Sequence, residues 1–466
     1  MAEKKSGAGK PDNPNSERKK EQKIKEVENL RSEAKIGKIK LSWDLDDTDV
    51  DFLEILGKYK KDTHFWSFGR FSRIIRSLEL PVEPLAPIQI KVQLVLKNGL
   101  RSNGVTIDTA ALHKNVVFDN VEGRELLIYL PDDYEKENKK YPVIYMHDGQ
   151  NLFSERLAFL WDWRVDEALD RLTSAGQMEK TVVVGIYNSS RRAEEYTPFA
   201  DRRFGGGKAR EFSQFVVEKI IPYIEKKYPV SSRREDRAVM GSSFGGIISL
   251  WMGYTYPEVF SMVAAISPSL WIADGEMLME LDRQPKKDLK IWIDQGTLEW
   301  SDFTRNAVNI LIKKGYAYGK ELMYYEVKDA KHDEIAWGDR IECPFIFFKG
   351  RPAKKITGMK LDYAIIKQFG AGPARLVVNP VVILDNGIRY SLYSSAHYSV
   401  ERRTKATIDQ TGILSFNGSS YAHVIIKFDK IQESFVVKNP FYQSEIQKTS
   451  GTKKEKMKKK MDTEPH

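Results

Sequence analysis

Arg237-Ala238-Val239-Met240-Gly241-Ser242-Ser243-Phe244-Gly245-Gly246-Ile247-Ile248 is the stretch on which the fold turns. A short apolar run enters a Gly-x-Ser-x-Gly sequence, and an apolar segment with helical character leaves it. That pattern predicts a strand ending at Met240 and a helix over residues 246–256. A serine on such a sharp strand-to-helix turn stands above the edge of a sheet, and the small flanking residues let the backbone pass. The helix start would aim free N–H groups and a positive dipole end at the same spot. Ser243 is therefore a candidate nucleophile.

Working outward, residues 98–350 alternate between strand-like and helix-like patterns. Short β-branched or aromatic runs occur at 126–130, 143–146, 182–186, 238–240, 262–266, 291–293 and 323–327. Helical patterns lie at 161–172, 210–227, 246–256 and 301–314; in the second, Phe212, Phe215, Val216, Ile220, Ile221 and Ile224 recur at helical spacing. This alternation predicts an α/β domain with a mostly parallel sheet covered by helices on both faces. Upstream, residues 41–97 read as a small module of unknown type. Prolines 81, 84 and 87 mark a linker within it, and Ile88, Ile90, Val92, Leu94 and Leu96 alternate as a half-buried strand. Downstream, 351–374 reads as a linker. Residues 375–440 show short strands and turns without helices, the pattern of a β-sandwich.

The 466 residues carry a net charge of +9, of which +5 falls in residues 1–40 and +4 in residues 448–466, so the chain between is neutral. Specific nucleic-acid binding by a basic folded face is not expected. The two ends, 1–40 and 441–466, read as basic disordered segments, the first with a helix-forming stretch near 21–39; they are candidates for contact with an anionic surface. No run reaches the ~18 apolar residues of a membrane span, and the first thirty residues hold no apolar signal core. A cytoplasmic location is the default expectation.

Other chemistries find little support. The lone Cys343 excludes internal disulfides and cysteine-rich metal sites. The acidic stretch 44–51 lacks the glycine and terminal glutamate of a calcium loop. Gly205-Gly206-Gly207-Lys208 lacks the spacing of a phosphate-binding loop, and no His-Glu-x-x-His exists. No metal or organic cofactor is expected.

A nucleophilic serine needs a base. Of seven histidines, His332 alone lies between Ser243 and the end of the α/β domain, in a polar loop following the run 323–327. Catalytic groups of open α/β sheets belong at that end of a strand. For the acid that would orient His332, Asp294 and Glu299 are both candidates, Glu299 being better placed to reach across. The oxyanion would need two N–H groups: Phe244, directly after the serine, and Gln150, where Gly149 lets the chain turn after the run 143–146. His147 would shape that loop. Asn188, Arg191, Arg192 and Trp271 are candidate substrate-binding residues, an arginine suiting an anionic substrate group; a salt bridge to Glu194 or Glu195 is the structural alternative.

Six segments together resemble the esterase family of α/β-hydrolases, which includes enterochelin esterases, esterase D, feruloyl and acetyl xylan esterases and the mycolyltransferases. They are Met146-His147-Asp148-Gly149-Gln150-Asn151-Leu152-Phe153, Arg192-Ala193-Glu194-Glu195-Tyr196-Thr197-Pro198, the serine turn, Ile266-Ser267-Pro268-Ser269-Leu270-Trp271, Asp294-Gln295-Gly296-Thr297-Leu298-Glu299, and His332 with Trp337. The resemblance spans residues 110–348. It implies an α/β-hydrolase fold, Ser243, His332 and Glu299 as triad, and the N–H groups of Gln150 and Phe244 as oxyanion donors. Separately, Val377-Val378-Asn379-Pro380 and 406–414 resemble a bacterial group 2 immunoglobulin-like domain, a module that binds proteins or polysaccharides on bacterial surfaces and phage particles. That resemblance implies an exported or virion context.

The expected activity is hydrolysis of a carboxylic ester through an acyl-enzyme. The substrate would be a small-molecule or polymer-linked ester, of carbohydrate, phenolic or siderophore type. The alternatives are acyl transfer to another acceptor, and an inactive hydrolase-like module serving structure or adhesion.

Overall fold

Alternating apolar residues build the first part of the computed structural model, which describes residues 24–45, 48–299, 302–366 and 375–442. The chain divides into two units, one ending at Leu112 and one starting at His113. In the first, strands β1 (Glu28–Lys35), β2 (Lys38–Asp44) and β5 (Ser77–Pro81) form one antiparallel sheet. A second sheet has the order β4 (Trp66–Ser72), β3 (Val50–Tyr59), β6 (Ile88–Leu96), β7 (Val105–Thr109). Ile88, Ile90, Val92 and Leu94 are almost wholly buried, as a half-buried strand requires, against Ile39, Leu41, Trp43, Leu53 and Ile55.

This unit differs from expectation at both ends. Residues 28–40, read as part of a disordered or helical arm, are strands because every second side chain of β2 is buried. The proline segment 81–87 is an internal connection: Val82 and Ala86 are buried, and β6 and β7 pair beyond it. The basic ends otherwise lie outside the described residues.

The second unit is organised on an eight-stranded sheet. Its order is β17 (Leu322–Val327), β16 (Lys290–Gly296), β15 (Met262–Ile266), β14 (Arg237–Ser242), β10 (Val143–His147), β11 (Val182–Ile186), β9 (Arg124–Tyr129), β8 (Val116–Val121). The strands from β17 to β11 are parallel, and the β8–β9 hairpin closes one side antiparallel. Every residue of β10, β11, β14 and β15 is buried, which requires cover on both faces. The cover comes from α1 (Val165–Ser174), α3 (Ala209–Phe215), α4 (Ile221–Lys227), α5 (Phe244–Thr255), α6 (Glu276–Arg283), α7 (Asp302–Lys313) and α9 (Glu342–Lys349); a short α2 (Arg192–Tyr196) and α8 (Glu334–Gly338) lie in loops. A π-helical turn, Val216–Ile220, joins α3 to α4 just before Pro222, which has no N–H to continue a regular ladder.

Two functional consequences follow from the order. From β10 the chain steps to β11 on one side, and β14 then lies on the other side of β10, so the strand order reverses at β10/β14. Ligands of open α/β sheets bind at such a reversal, outside the carboxyl ends of the strands. Ser243 and the 148–151 loop both emerge there.

Two further antiparallel sheets follow. One joins β18 (Ile356–Ile366), β19 (Arg375–Leu384), β20 (Arg389–Ser391), β22 (Ala406–Ile408) and β23 (Ile413–Phe416); the other joins β21 (His397–Val400), β24 (Tyr421–Phe428) and β25 (Ile431–Lys438). The segment read as a linker over 351–374 thus contains β18, paired along its length with β19. The first of these sheets is fastened to β17. The Glu326 N–H donates to Ser391 Oγ (2.9 Å), its carbonyl accepts from Asn379 Nδ2 (2.8 Å), and the Tyr393 ring packs into the core of the eight-stranded sheet.

Candidate active site

Ser243 is held at φ 58°, ψ −120°, a conformation that strains a residue with a Cβ. The sequence around it makes the turn feasible: a Cβ on Gly241 would lie 2.7 Å from the Gly245 carbonyl carbon, so a side chain there would block the turn. Hydrogen bonds lock the serine in place, from Ser243 N–H to Ile266 O (3.0 Å) and from Ser269 N–H to Ser243 O (3.2 Å).

Three side chains from three loops line up. Ser243 Oγ lies 3.0 Å from His332 Nε2, and His332 Nδ1 lies 2.7 Å from Glu299 Oε2. A carboxylate against Nδ1 keeps the proton there, which leaves Nε2 as acceptor for the serine hydroxyl. The Trp337 ring stands edge-on to the imidazole, with centroids 5.0 Å apart. Burial pushes the Glu299 carboxyl up, but hydrogen bonds from His332 and Ser267 outweigh it and hold the group below its ordinary value. The other candidate acid, Asp294, faces elsewhere: its oxygens accept from Trp292 Nε1 (2.8 Å) and Arg340 Nε (2.9 Å).

The 148–151 loop lies against the start of α5, where a Cβ on Gly245 would come 3.4 Å from Asp148 Oδ2. Gly149 is required because any side chain there would collide with the Gly185 carbonyl on β11. Phe244 is the first residue of α5, where an N–H has no carbonyl one turn back to bond.

Residues 122–341 match the model of the family described as Putative esterase. Among curated relatives, the chain is 25% identical over 182 residues to Uncharacterized protein YbbA of Bacillus subtilis (strain 168), covering 38% of this chain and 69% of that protein. It is 30% identical over 166 residues to the Siderophore triacetylfusarinine C esterase of Aspergillus fumigatus, covering 33% of this chain and 54% of the relative. It is 26% identical over 224 residues to the Iron(III) enterobactin esterase of Escherichia coli O6:H1, covering 46% and 50%. The chain thus spans about half the length of these two siderophore esterases. The chain is an ester hydrolase. Its fold is α/β-hydrolase-like, and no helix among the described residues is long and apolar enough to cross a membrane.

In this hydrolase the residues expected to bind substrate fall into two groups. Arg192 and Asn188 are turned toward the protein. Asp148, buried, accepts from Arg192 Nε and Nη2 (both 2.7 Å) and from Asn188 Nδ2 (2.6 Å). Burial pushes the Asp148 carboxyl up, yet Arg192 and Asn188 hold it below its ordinary value. Arg192 thus pairs with Asp148, not with Glu194 or Glu195; Arg191 leans toward Glu195 (3.6 Å). Trp271 is half-buried and packs against the core. Its ring lies 5.8 Å from Phe204, which lies 5.8 Å from Phe244, the residue after Ser243, so three aromatic rings form a cluster there. Phe204 is carried on a hairpin of β12 (Ala200–Asp201) and β13 (Gly205–Gly206), tied down by the Ala273 N–H on Asp201 Oδ2 (2.9 Å).

Asp148, Ser269 and Arg340 were not singled out by sequence reasoning. The first two lie within motif segments whose neighbours drew attention, and Ser269 Oγ is 3.1 Å from Ser243 Oγ. Arg340 lies in no motif and becomes visible only through its contacts. Among the described residues no group of three or more His, Cys, Asp or Glu side chains is placed to hold a metal ion.

Proposed function

We propose that the protein hydrolyses carboxylic esters with Ser243 as nucleophile, His332 as general base and Glu299 as the acid that orients it. The observation that carries this is the unbroken chain of contacts from Ser243 Oγ through His332 to Glu299, at 3.0 and 2.7 Å. Attack on the ester carbonyl moves the serine proton to Nε2, and Glu299 stabilises the imidazolium that results. The N–H groups of Phe244 and Gln150 receive the oxyanion. His332 then protonates the departing alcohol, and water cleaves the acyl-enzyme by the reverse sequence. The imidazole, 41% exposed at its side chain, is open to that water, which favours hydrolysis over acyl transfer.

The cluster of Phe204, Phe244 and Trp271 favours an ester with an aromatic group, phenolic or siderophore in type, over a simple sugar acetate. Relatives named as siderophore esterases support the same class. The inactive-module alternative is disfavoured because packing alone does not require these three side chains to converge. The C-terminal sheets we assign to an immunoglobulin-like sandwich. Its hydrogen bonds to Glu326 favour a structural role over that of a free adhesive module.

The test is hydrolysis of p-nitrophenyl acetate and butyrate by wild type and Ser243→Ala, with fluorophosphonate labelling read by intact mass. The expected result is one label on wild type, no label on Ser243→Ala, and a loss of at least ~1000-fold in kcat. Full turnover by folded Ser243→Ala would remove the assignment.

A further inference from the structure

Behind Glu299 lies a buried polar chain that catalysis by three residues does not itself require. Glu299 Oε1 accepts from Gly296 N–H (2.8 Å) and from the Ser267 hydroxyl (2.7 Å). Ser267 Oγ in turn accepts from Arg340 Nη2 (2.7 Å). Arg340 is fixed by Asp294 Oδ1 (2.9 Å) and by the Ala336 carbonyl (2.7 Å). Ser267, Asp294 and Arg340 are 1%, 0% and 2% exposed.

The chemistry of the donors sets a direction along this chain. A guanidinium can only donate, so Ser267 must accept from Arg340 and use its single hydrogen on Glu299. Oε1 is then filled by two donors, and Oε2 is left to the imidazole. Ser267 occupies a left-handed backbone conformation (φ 42°) that a residue with a Cβ rarely adopts, and its N–H is held by the Asp294 carbonyl (3.0 Å). The same short stretch of chain, 332–340, supplies the imidazole, the Trp337 ring against it and the guanidinium that anchors its acid.

We propose that Ser267 and Arg340 are positioning residues for the catalytic acid: Arg340, braced by Asp294, fixes the Ser267 hydroxyl, which locks the Glu299 carboxylate in its ionised, His332-facing orientation. This rests on the Ser243–His332–Glu299 assignment above. It gives Asp294 a role distinct from that of triad acid, as counter-ion to Arg340.

The test uses the full chain and counts active sites by stoichiometric fluorophosphonate labelling, so that misfolded protein does not enter kcat. Ser267→Ala removes the link but leaves the Arg340–Asp294 pair. The expected result is a kcat per labelled site lowered about tenfold, the worth of one charge-assisted hydrogen bond, with KM unchanged. A carboxylate with one donor fewer pulls harder on the imidazolium proton, so the acid limb of the kcat/KM profile moves to higher pH. Arg340→Lys keeps a positive charge but cannot bridge Asp294 and Ser267 together. Its effect is expected to match that of Ser267→Ala, and the double variant to be no worse than either single. A Ser267→Ala protein with wild-type kcat per labelled site and an unmoved acid limb overturns the proposal, as do single effects that multiply. Should Ser267→Ala fail to fold, Ser267→Gly, which relieves the backbone strain, takes its place. A glycine variant that also fails to fold assigns the network to stability and likewise overturns the proposal. Wild type that neither labels at Ser243 nor turns over would instead remove the underlying catalytic assignment.

Discussion

His147 shows how burial changes the chemistry of a single side chain. Its imidazole is 1% exposed, packed against Tyr196 and Phe212, and burial pushes its pKa down from 6.5 to about 3. Its ring is therefore neutral near pH 7 and packs between Tyr196 and Phe212. The unfolded chain binds a proton at this position below pH ~6.5, whereas the folded chain does not until pH ~3. Stability from this residue is therefore complete above pH ~6.5 and falls by about 1.4 kcal/mol per pH unit below it. Urea unfolding at pH 7.5, 6 and 5 should show that slope in wild type and a shallower one in His147→Gln. Equal slopes would mean that the ring is accessible to protons in the folded state. The three residues proposed as nucleophile, base and acid were legible because each is bound to a local pattern: a Gly-x-Ser-x-Gly turn, a lone histidine after a strand, a carboxylate in a loop between them. Arg192 was legible only as a charge. Which of Asp148, Glu194 and Glu195 takes the guanidinium depends on loop geometry, and Asp148 is forty-four positions away from it.

At the scale of elements, the parallel strands were readable because strands buried on both faces appear as continuous apolar runs, and their positions match to within a few residues. β1, β2 and β18 were missed for the opposite reason. Each is partly exposed and carries charges on its outer face, so its composition resembles a linker. The miss at β18 matters, because this strand belongs to sheets that close the open edge of β17. An uncovered edge strand invites aggregation. Here the backbone groups of Glu326 are met by Ser391 and Asn379, Tyr318 donates to the Ser391 carbonyl (2.6 Å), and Arg305 bridges Glu326 and the Tyr393 ring. β17 leads directly into the loop of His332. A chain truncated after Pro352 is accordingly expected to be insoluble, or to lose fluorophosphonate labelling even where soluble. A tethered module on a flexible linker would allow the truncation without effect. A soluble truncated protein that labels as well as wild type would show that β17 holds its place unaided.

At the scale of the molecule, charge and chemistry are segregated. The excess of positive charge lies in the terminal segments, and the site described above is built entirely from residues between Asp148 and Arg340. The first unit has its own core of Ile39, Leu41, Trp43, Leu53, Ile55, Ile90 and Val92, each at most 2% exposed, and its own pair of sheets. A segment with a self-contained core folds as a unit. Among the described residues, the hydrogen bonds given above for Ser243, His332, Glu299, Ser267, Arg340 and Asp148 are made within the second unit. Residues 113–466 expressed alone should therefore keep kcat/KM on p-nitrophenyl butyrate within about twofold of the full chain, while calorimetry of the full chain resolves a transition that the shorter protein lacks. A folded 113–466 protein with activity down tenfold or more would mean that the first unit supplies part of the site. In that case the loss should be parsed into kcat and KM, since a lost substrate contact raises KM and a displaced loop lowers kcat.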